Sequence, residues 1–249
     1  MNILKYKKGK KGIYIVSLED GIELSLYEEV ILKYELLIKK EIDRKMLSQI
    51  QKDNQEWEVY YSALDIIKSR MKSCSELKKL LINKEYPIDL IDNAINKLES
   101  QGYLNDRDYV KAYINSQIIT TSKGPLKIIH ELSEKGINDN IILEEIKCFN
   151  EEEQLIKINK IIEKAIKSNH TRGGNILKQK ICNDLKIQGY EMSLINSVID
   201  NYSFENNDDI AKKEYEKLYR KLSRKYSGSE LKNKIREKLY LKGLKYEED

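Results

Sequence analysis

The sequence predicts a mainly α protein: tandem three-helix repeats stacked in an elongated curved array, preceded by a small N-terminal β-hairpin plus helices. Three observations predict this class. Apolar residues recur at helical spacing over most of the chain, as in Trp57, Tyr60, Leu64, Ile67 and Met71. Two prolines and 11 glycines among 249 residues supply too little turn material for a sandwich of many hairpins. A block of similar residues also returns about every 50 positions.

The first segment has a different period. Ile13-Tyr14-Ile15-Val16-Ser17-Leu18 and Ile22-Glu23-Leu24-Ser25-Leu26 are β-rich, and Asp20-Gly21 between them suits the positive φ angles of a tight hairpin turn. A lone hairpin is marginal in water, so helices at 27–40 and 44–52 are expected to support it. Residues 1–56 therefore read as a hairpin and helical cap. Ahead of it, Gly9-Lys10-Lys11-Gly12 lacks phosphate-loop spacing and reads as a flexible basic leader. No apolar segment of secretory type follows the early lysines, and the cytoplasm is the expected compartment.

From Trp57 onward the stripes are helical. Ile88, Ile91, Ile95 and Leu98 form one; Leu155, Ile158, Ile162 and Ala165 another; Ala211, Tyr215, Leu218, Leu222 and Tyr226 a third. Four blocks align across these helices: Ser75-Glu76-Leu77-Lys78, Gly124-Pro125-Leu126-Lys127, Asn175-Ile176-Leu177-Lys178 and Ser229-Glu230-Leu231-Lys232. Their leucines are spaced 49, 51 and 54 residues apart, and each is followed by a lysine. Lys135-Gly136, Gln188-Gly189 and Lys242-Gly243 end three of the helices with a glycine fit for a left-handed C-cap, and Glu85 stands at the corresponding place in the first. The predicted units are 57–104, 105–149, 150–204 and 205–249, the last without its third helix. Stacking is expected because one such unit cannot bury its own apolar faces.

Composition excludes several classes. The mean hydropathy is −0.63 and no run approaches the ~18 apolar residues of a membrane span. Hydrophobic residues at 40% and a net charge of +4 argue against a disordered chain. Cys74, Cys148 and Cys182 are too far apart for a zinc knuckle, and each is expected to act as a small core residue. Of the two histidines, His130 falls on a predicted helix surface and His170 in a linker. The acidic run Glu151-Glu152-Glu153 suits a helix start, where negative charge meets the helix dipole. No catalytic motif, cofactor site or metal set is expected, and the chain does not read as an enzyme.

Charge is concentrated at one place. Seven basic residues lie between Lys212 and Lys225, against Glu214 and Glu216. On a helix, Lys213, Lys217, Arg220 and Arg224 fall opposite the core stripe and make a basic ridge about 16 Å long. Such a ridge suits a phosphate backbone or an acidic protein surface. Lys78, Lys127, Lys178 and Lys232 are expected to project from the repeat cores and extend the ridge into one basic track. With only seven arginines, base-specific recognition is not indicated, so contact with DNA is expected to be weak and salt-sensitive.

Particular motifs then point to a family. Gly102-Tyr103-Leu104-Asn105-Asp106-Arg107-Asp108-Tyr109-Val110 resembles the Gly-Tyr-Leu-(Asn/Asp)-Asp-x-x-(Tyr/Phe)-Ala signature of the bacterial regulatory protein RecX family, with Val110 in place of the alanine. The stretch from Lys123-Gly124-Pro125 to Leu132 and Lys135-Gly136-Ile137 is similar to its next block, Gly-Pro-x-x-Ile-x-x-x-Leu-x-x-Lys-Gly-Ile. Tyr103, Leu104 and Tyr109 are expected in the inter-helix core. The resemblance implies a non-enzymatic modulator of the RecA recombinase. It would bind the RecA–DNA filament along its groove or end and inhibit filament extension, ATPase and strand exchange, in recombination, DNA repair and the SOS response. The implied partner is the RecA filament, with DNA as a weak second, no membrane, no small-molecule substrate, and a monomeric state. The alternative is a helical-repeat protein that binds DNA or RNA directly through its basic face; a third reading is a plain scaffold.

Overall fold

The computed structural model describes residues 1–10, 12–204 and 208–246, which form twelve α-helices and one three-stranded antiparallel sheet. Two compact units emerge: residues 1–109 with 135–138, and residues 110–134 with 139–249.

In the first unit, β1 (Ile3–Lys8), β2 (Ile13–Leu18) and β3 (Glu23–Tyr27) pair in sequence order. Val16 sits opposite Leu24 and Tyr14 opposite Leu26. This alternation buries Val16, Leu18, Leu24 and Leu26 on one face, against Val30, Ile31, Leu36 and Ile50. The sheet exceeds the predicted hairpin by one strand, β1, which lies in the lysine-rich stretch ahead of it where the sequence predicts no strand. Lys5 and Lys7 are exposed while Ile3 and Tyr6 turn inward, and a register shift between Ile3 and Lys5 breaks the period-two pattern that would mark a strand. Lys11 lies outside the described residues. The other edge is closed by Asn54, whose Oδ1 accepts from the Tyr27 amide at 2.9 Å and whose Nδ2 donates to the Ser25 carbonyl at 3.0 Å.

Helix α1 (Glu28–Lys33) stops well short of the predicted residue 40. Glu35 takes a φ of 54° and the chain reverses, which buries Leu36 completely. Asp43 then caps α2 (Arg44–Ser69), accepting from the Met46 amide at 2.7 Å. This single helix of 26 residues merges two predicted ones and runs unbroken through position 56, since Asp53-Asn54-Gln55-Glu56 carries neither glycine nor proline. Asp53 is buried on it and held by Lys33, by the Tyr34 hydroxyl at 2.8 Å and by Gln49 at 3.1 Å. Helices α3 (Cys74–Ile82) and α4 (Ile88–Ser100) complete a core of Val59, Ala63, Leu77, Leu81, Ile91 and Leu98. Met71 and Ile88, expected in core stripes, are exposed; the first lies beyond the end of α2 and the second opens α4.

The family-like motif has a local physical role. Gly102 takes a φ of 74° to end α4, and Leu104 enters the core. Asn105 caps α5 (Asp106–Thr120) by accepting from the amides of Arg107 and Asp108. Asp106 accepts from the Cys74 amide at 2.8 Å, which ties the starts of α3 and α5 together. Tyr109 is buried as expected, whereas Tyr103 is 63% exposed because the chain leaves the helix just there.

The second unit contains most of α5, then α6 (Pro125–Glu134), α7 (Asp139–Glu145) with a 3-10 turn at Ile146–Cys148, α8 (Glu151–Lys167), α9 (Gly174–Ile187) and α10 (Met192–Ile199). Two more helices follow, α11 (Asp208–Leu222) and α12 (Gly228–Leu241). The predicted start of the last repeat, residue 205, is outside the described residues. Cys148 is exposed and Phe149 takes the adjoining core place; Cys74 and Cys182 are half-buried.

Helices α3, α6, α9 and α12 begin alike. The first buried apolar side chain of each belongs to a residue whose amide donates four positions back: Leu77 to Ser73, Ile128 to Gly124, Leu177 to Gly173 and Leu231 to Ser227. This corrects the sequence alignment in the second block. Leu126, taken there as the core leucine, is 48% exposed, because Pro125 occupies the first helical position and the core position falls on Ile128. The four helices also end alike, with Glu85, Gly136, Gly189 and Gly243 at φ of 62°, 75°, 89° and 70°.

Candidate functional site

The recurring helix ends do more than stop helices. Each glycine lies against the start of the preceding helix of its kind. A Cβ on Gly136 would stand 2.5 Å from Ser75 Oγ; on Gly189, 2.4 Å from the Lys127 amide nitrogen; on Gly243, 2.6 Å from Ile176 Cγ1. Backbone bonds close two of these seams. The Gly124 amide donates to Gln188 at 2.7 Å and the Leu126 amide to Gly189 at 3.1 Å, while the Gly173 amide donates to Lys242 at 2.8 Å. Carbonyls at one helix end thereby satisfy free amides at another helix start. The Gly136 seam is tied instead by an ion pair, Lys135 Nζ to Glu76 Oε1 at 2.7 Å. The sequence shows the recurring glycine but not what it docks on.

These seams decide what the predicted lysines do. Lys78 is not free: its ammonium lies 2.5 Å from Asp92 on α4. Lys178 bonds Asp200, just past α10, at 2.9 Å, and that bond raises its pKa. Each lysine ties its helix to the next one in the group. Lys127 is half-buried at the Gly189 seam and, after the register correction, is not the counterpart of the other three; Ile129 is. Lys232 is exposed and makes no ion pair with described residues.

The α11 ridge is cationic, with two of its four predicted cations paired to acids of the same helix. Ala211, Leu218 and Leu222 are buried, and so is Glu214, which accepts from Lys242 and has Lys217 at 3.6 Å. Glu214 thus lies beneath the ridge and offsets part of its charge. Lys213, Lys217, Arg220 and Arg224 are all exposed along a shallow groove of about 380 Å³ that also meets Glu216 and Lys221. Arg220 lies 3.8 Å from Glu216, while Lys213 and Arg224 form no ion pair with described residues. Tyr219, half-exposed beside the ridge, stacks on Tyr215 with ring centres 6.2 Å apart.

Histidines and carboxylates do not assemble around these groups. His130 is exposed and 3.6 Å from Glu134, and His170 is exposed. Among the described residues no three His, Cys, Asp or Glu side chains are placed to hold a metal ion, and no helix is long and apolar enough to cross a membrane.

Helices that return with one core position and one left-handed stop define a helical-repeat protein. Comparison with known proteins makes the assignment specific. Residues 105–144 match the family described as RecX, second three-helix domain. The chain is 31% identical to a protein named regulatory protein RecX from Bacillus subtilis (strain 168), over 97% of this chain and 93% of that one. It is 30% identical to the protein of the same name from Streptococcus sanguinis (strain SK36), over 98% and 95%. A crystal structure titled regulatory protein RecX superposes with a TM-score of 0.72 at 26% identity, covering 80% of this chain and 98% of that one. The chain belongs to the RecX family.

Proposed function

We propose that this chain is a non-enzymatic regulator that binds the RecA–DNA filament, along its groove or at its end, and inhibits filament extension, ATP hydrolysis and strand exchange. The observation that carries this reading is likeness to regulatory proteins named RecX over nearly the whole chain. The recurring helices support it physically. We take residues 57–104, 105–149, 150–204 and 205–249 as successive units on a cap of residues 1–56, each able to meet one subunit of a repeating partner. Linked weak contacts gain effective concentration, so no single contact need be strong. The setting is cytoplasmic recombination, DNA repair and the SOS response.

Lys213, Lys217, Arg220 and Arg224, with Lys232, are the contacts this reading favours for DNA or an acidic partner surface. Lys78 and Lys178 contribute mainly to internal ion pairs, and Lys127 to a seam. The α11 ridge also favours a second reading, direct binding of DNA or RNA.

One experiment separates the two. ATP hydrolysis by RecA from the same organism, on single-stranded DNA at near-physiological salt, is titrated with this protein and with a variant carrying Lys213→Glu, Lys217→Glu, Arg220→Glu and Arg224→Glu. Filament regulation predicts a large fall in hydrolysis below one copy per RecA, with the variant retaining inhibition at higher concentration. No fall with the natural protein overturns the filament reading. Tight, steeply salt-dependent DNA binding without RecA, abolished in the variant, would then establish the direct binder.

A further inference from the structure

The sheet of the first unit has an edge, β1, that is closed along only part of its length. At its start, residues 40–42 act as a short extra strand: the Ile3 amide donates to Lys40 at 2.9 Å, the Ile42 amide to Met1 at 2.9 Å, and Asn2 bridges Glu41. Beyond Ile3 that cover stops. At the other end the Gly9 amide donates to Ile13 at 2.7 Å, and Lys7 and Lys5 lie opposite Ile15 and Ser17. Antiparallel ladders alternate, so Lys5 and Lys7 turn their backbone groups to β2 while Tyr6 and Lys8 turn theirs outward. No backbone bond from a described residue reaches Tyr6 or Lys8 on that outer side.

The side chains along this edge fall into two sets. Lys5 and Lys7 are exposed on one face, with uncharged residues opposite them on β2 and Glu23 one strand further, bonded to Ser17 at 3.4 Å. On the other face the Tyr6 hydroxyl is bonded to the Leu36 carbonyl and stands 3.3 Å from that of Lys39, which sets the turn after α1 beside the edge. That turn presents Leu37 and Ile38, 53% and 80% exposed.

Charge on the open part is unbalanced. Lys5, Lys7 and Lys10 are exposed and make no ion pair with described residues. Glu28 lies 4.0 Å from Lys8, and Glu35 4.0 Å from Lys39. Glu19, Asp20 and Glu41 gather at the closed end, where Glu19 and Glu41 meet Asn2. Lysines on an edge deter a second copy, since β1 against β1 would set lysine beside lysine. They leave an acidic strand as the complement.

We propose that the open edge of β1 receives an extended segment of a partner protein in which acidic and apolar residues alternate. Backbone bonds to Tyr6 and Lys8 hold it, its carboxylates face Lys5 and Lys7, and its apolar residues lie against Leu37 and Ile38. This surface goes beyond the filament reading and does not depend on it.

The test uses the full chain with labelled backbone amides, observed by NMR. The probes are a peptide of alternating glutamate and valine, the same peptide with glutamine for glutamate, one of equal composition with its glutamates and valines in two blocks, and phosphatidylglycerol vesicles. Saturable binding of the alternating peptide is expected, with slower exchange of the Tyr6 and Lys8 amides. Lys5→Glu with Lys7→Glu should weaken it about tenfold, while Lys5→Arg with Lys7→Arg keeps most of it. Lys8→Pro, tolerated on an edge strand whose N–H faces outward, should weaken binding with β1 still paired to β2. Equal binding of the glutamine or block peptide, or full affinity in Lys5→Glu with Lys7→Glu, would overturn the proposal. Binding of vesicles without the peptide would also overturn it, in favour of a lipid surface. Protection of the Tyr6 and Lys8 amides that rises with protein concentration, with no peptide present, would overturn it in favour of a second copy.

Discussion

Glu85 and Gly189 end their helices with the same left-handed turn, at φ of 62° and 89°, but their surroundings differ. Glu85 is exposed. Gly189 lies where any Cβ would stand 2.4 Å from the Lys127 nitrogen and 2.7 Å from its Cβ. A left-handed φ alone costs an ordinary residue roughly 1–2 kcal/mol, which a fold can absorb. Close backbone approach leaves nothing to give way. Glycine is thus required at the seam for space, and at a free helix end only preferred for conformation.

Gly189→Ala tests this contrast most severely. It combines strained backbone with overpacking against a rigid helix start, so a loss of about 3 kcal/mol is expected. The loss should be seen in urea unfolding as a lower midpoint. A cost near 1 kcal/mol would mean that the Gly124–Gly189 seam is soft and that the two helix ends differ little.

A second contrast lies among the seams themselves. Those at Gly189 and Gly243 are closed by backbone bonds, while that at Gly136 depends on Glu76 and Lys135. Burial raises the Glu76 pKa, but the bond and charge of Lys135 outweigh it, so the folded value is depressed. Stability from this pair is present above the unfolded carboxylate pKa and is lost as pH falls through the folded value. Acid should therefore loosen the Gly136 seam first. Hydrogen exchange of the Leu77 amide should speed up relative to that of Leu177 as pH falls below the unfolded carboxylate value of about 4.3, after correction for intrinsic rates. Glu76→Gln should remove the difference, with a cost of about 1 kcal/mol at neutral pH for a pair still partly open to water. Equal acid response at both amides would sink the distinction.

Much of this was legible in the sequence because helix signals are local. Apolar spacing placed the cores of α4, α8 and α11, and Gly136, Gly189 and Gly243 marked helix ends correctly. What escaped was non-local or masked. The irregular register of β1 carries no alternating signal, and nothing near Asp53 breaks the helix that runs through it. The pairing of Lys78 with Asp92 and Lys178 with Asp200 depends on neighbouring helices. The α11 ridge was readable from helical spacing, although the burial of Glu214 beneath it was not. How far the edge of β1 is closed depends on the distant residues 40–42, and no local pattern announces it.

The smallest effect gives the finest test of why Glu85 differs. If conformation alone is at stake there, Glu85→Gly should relieve the left-handed strain and lose only the extra chain entropy of glycine. These terms nearly offset, leaving a gain of up to about 1 kcal/mol, readable as a small rise in the urea midpoint with an unchanged slope. Glu85→Ala keeps a Cβ at positive φ and should match the natural chain within about 0.5 kcal/mol. If Glu85→Gly instead lowers stability by 1 kcal/mol or more, the glutamate side chain makes a contribution of its own, and the turn at Glu85 is not a relaxed version of the turn at Gly189. A gain with glycine together with near-neutrality for alanine would fix the distinction: the same backbone angle recurs at four helix ends, and only close packing makes glycine obligatory there.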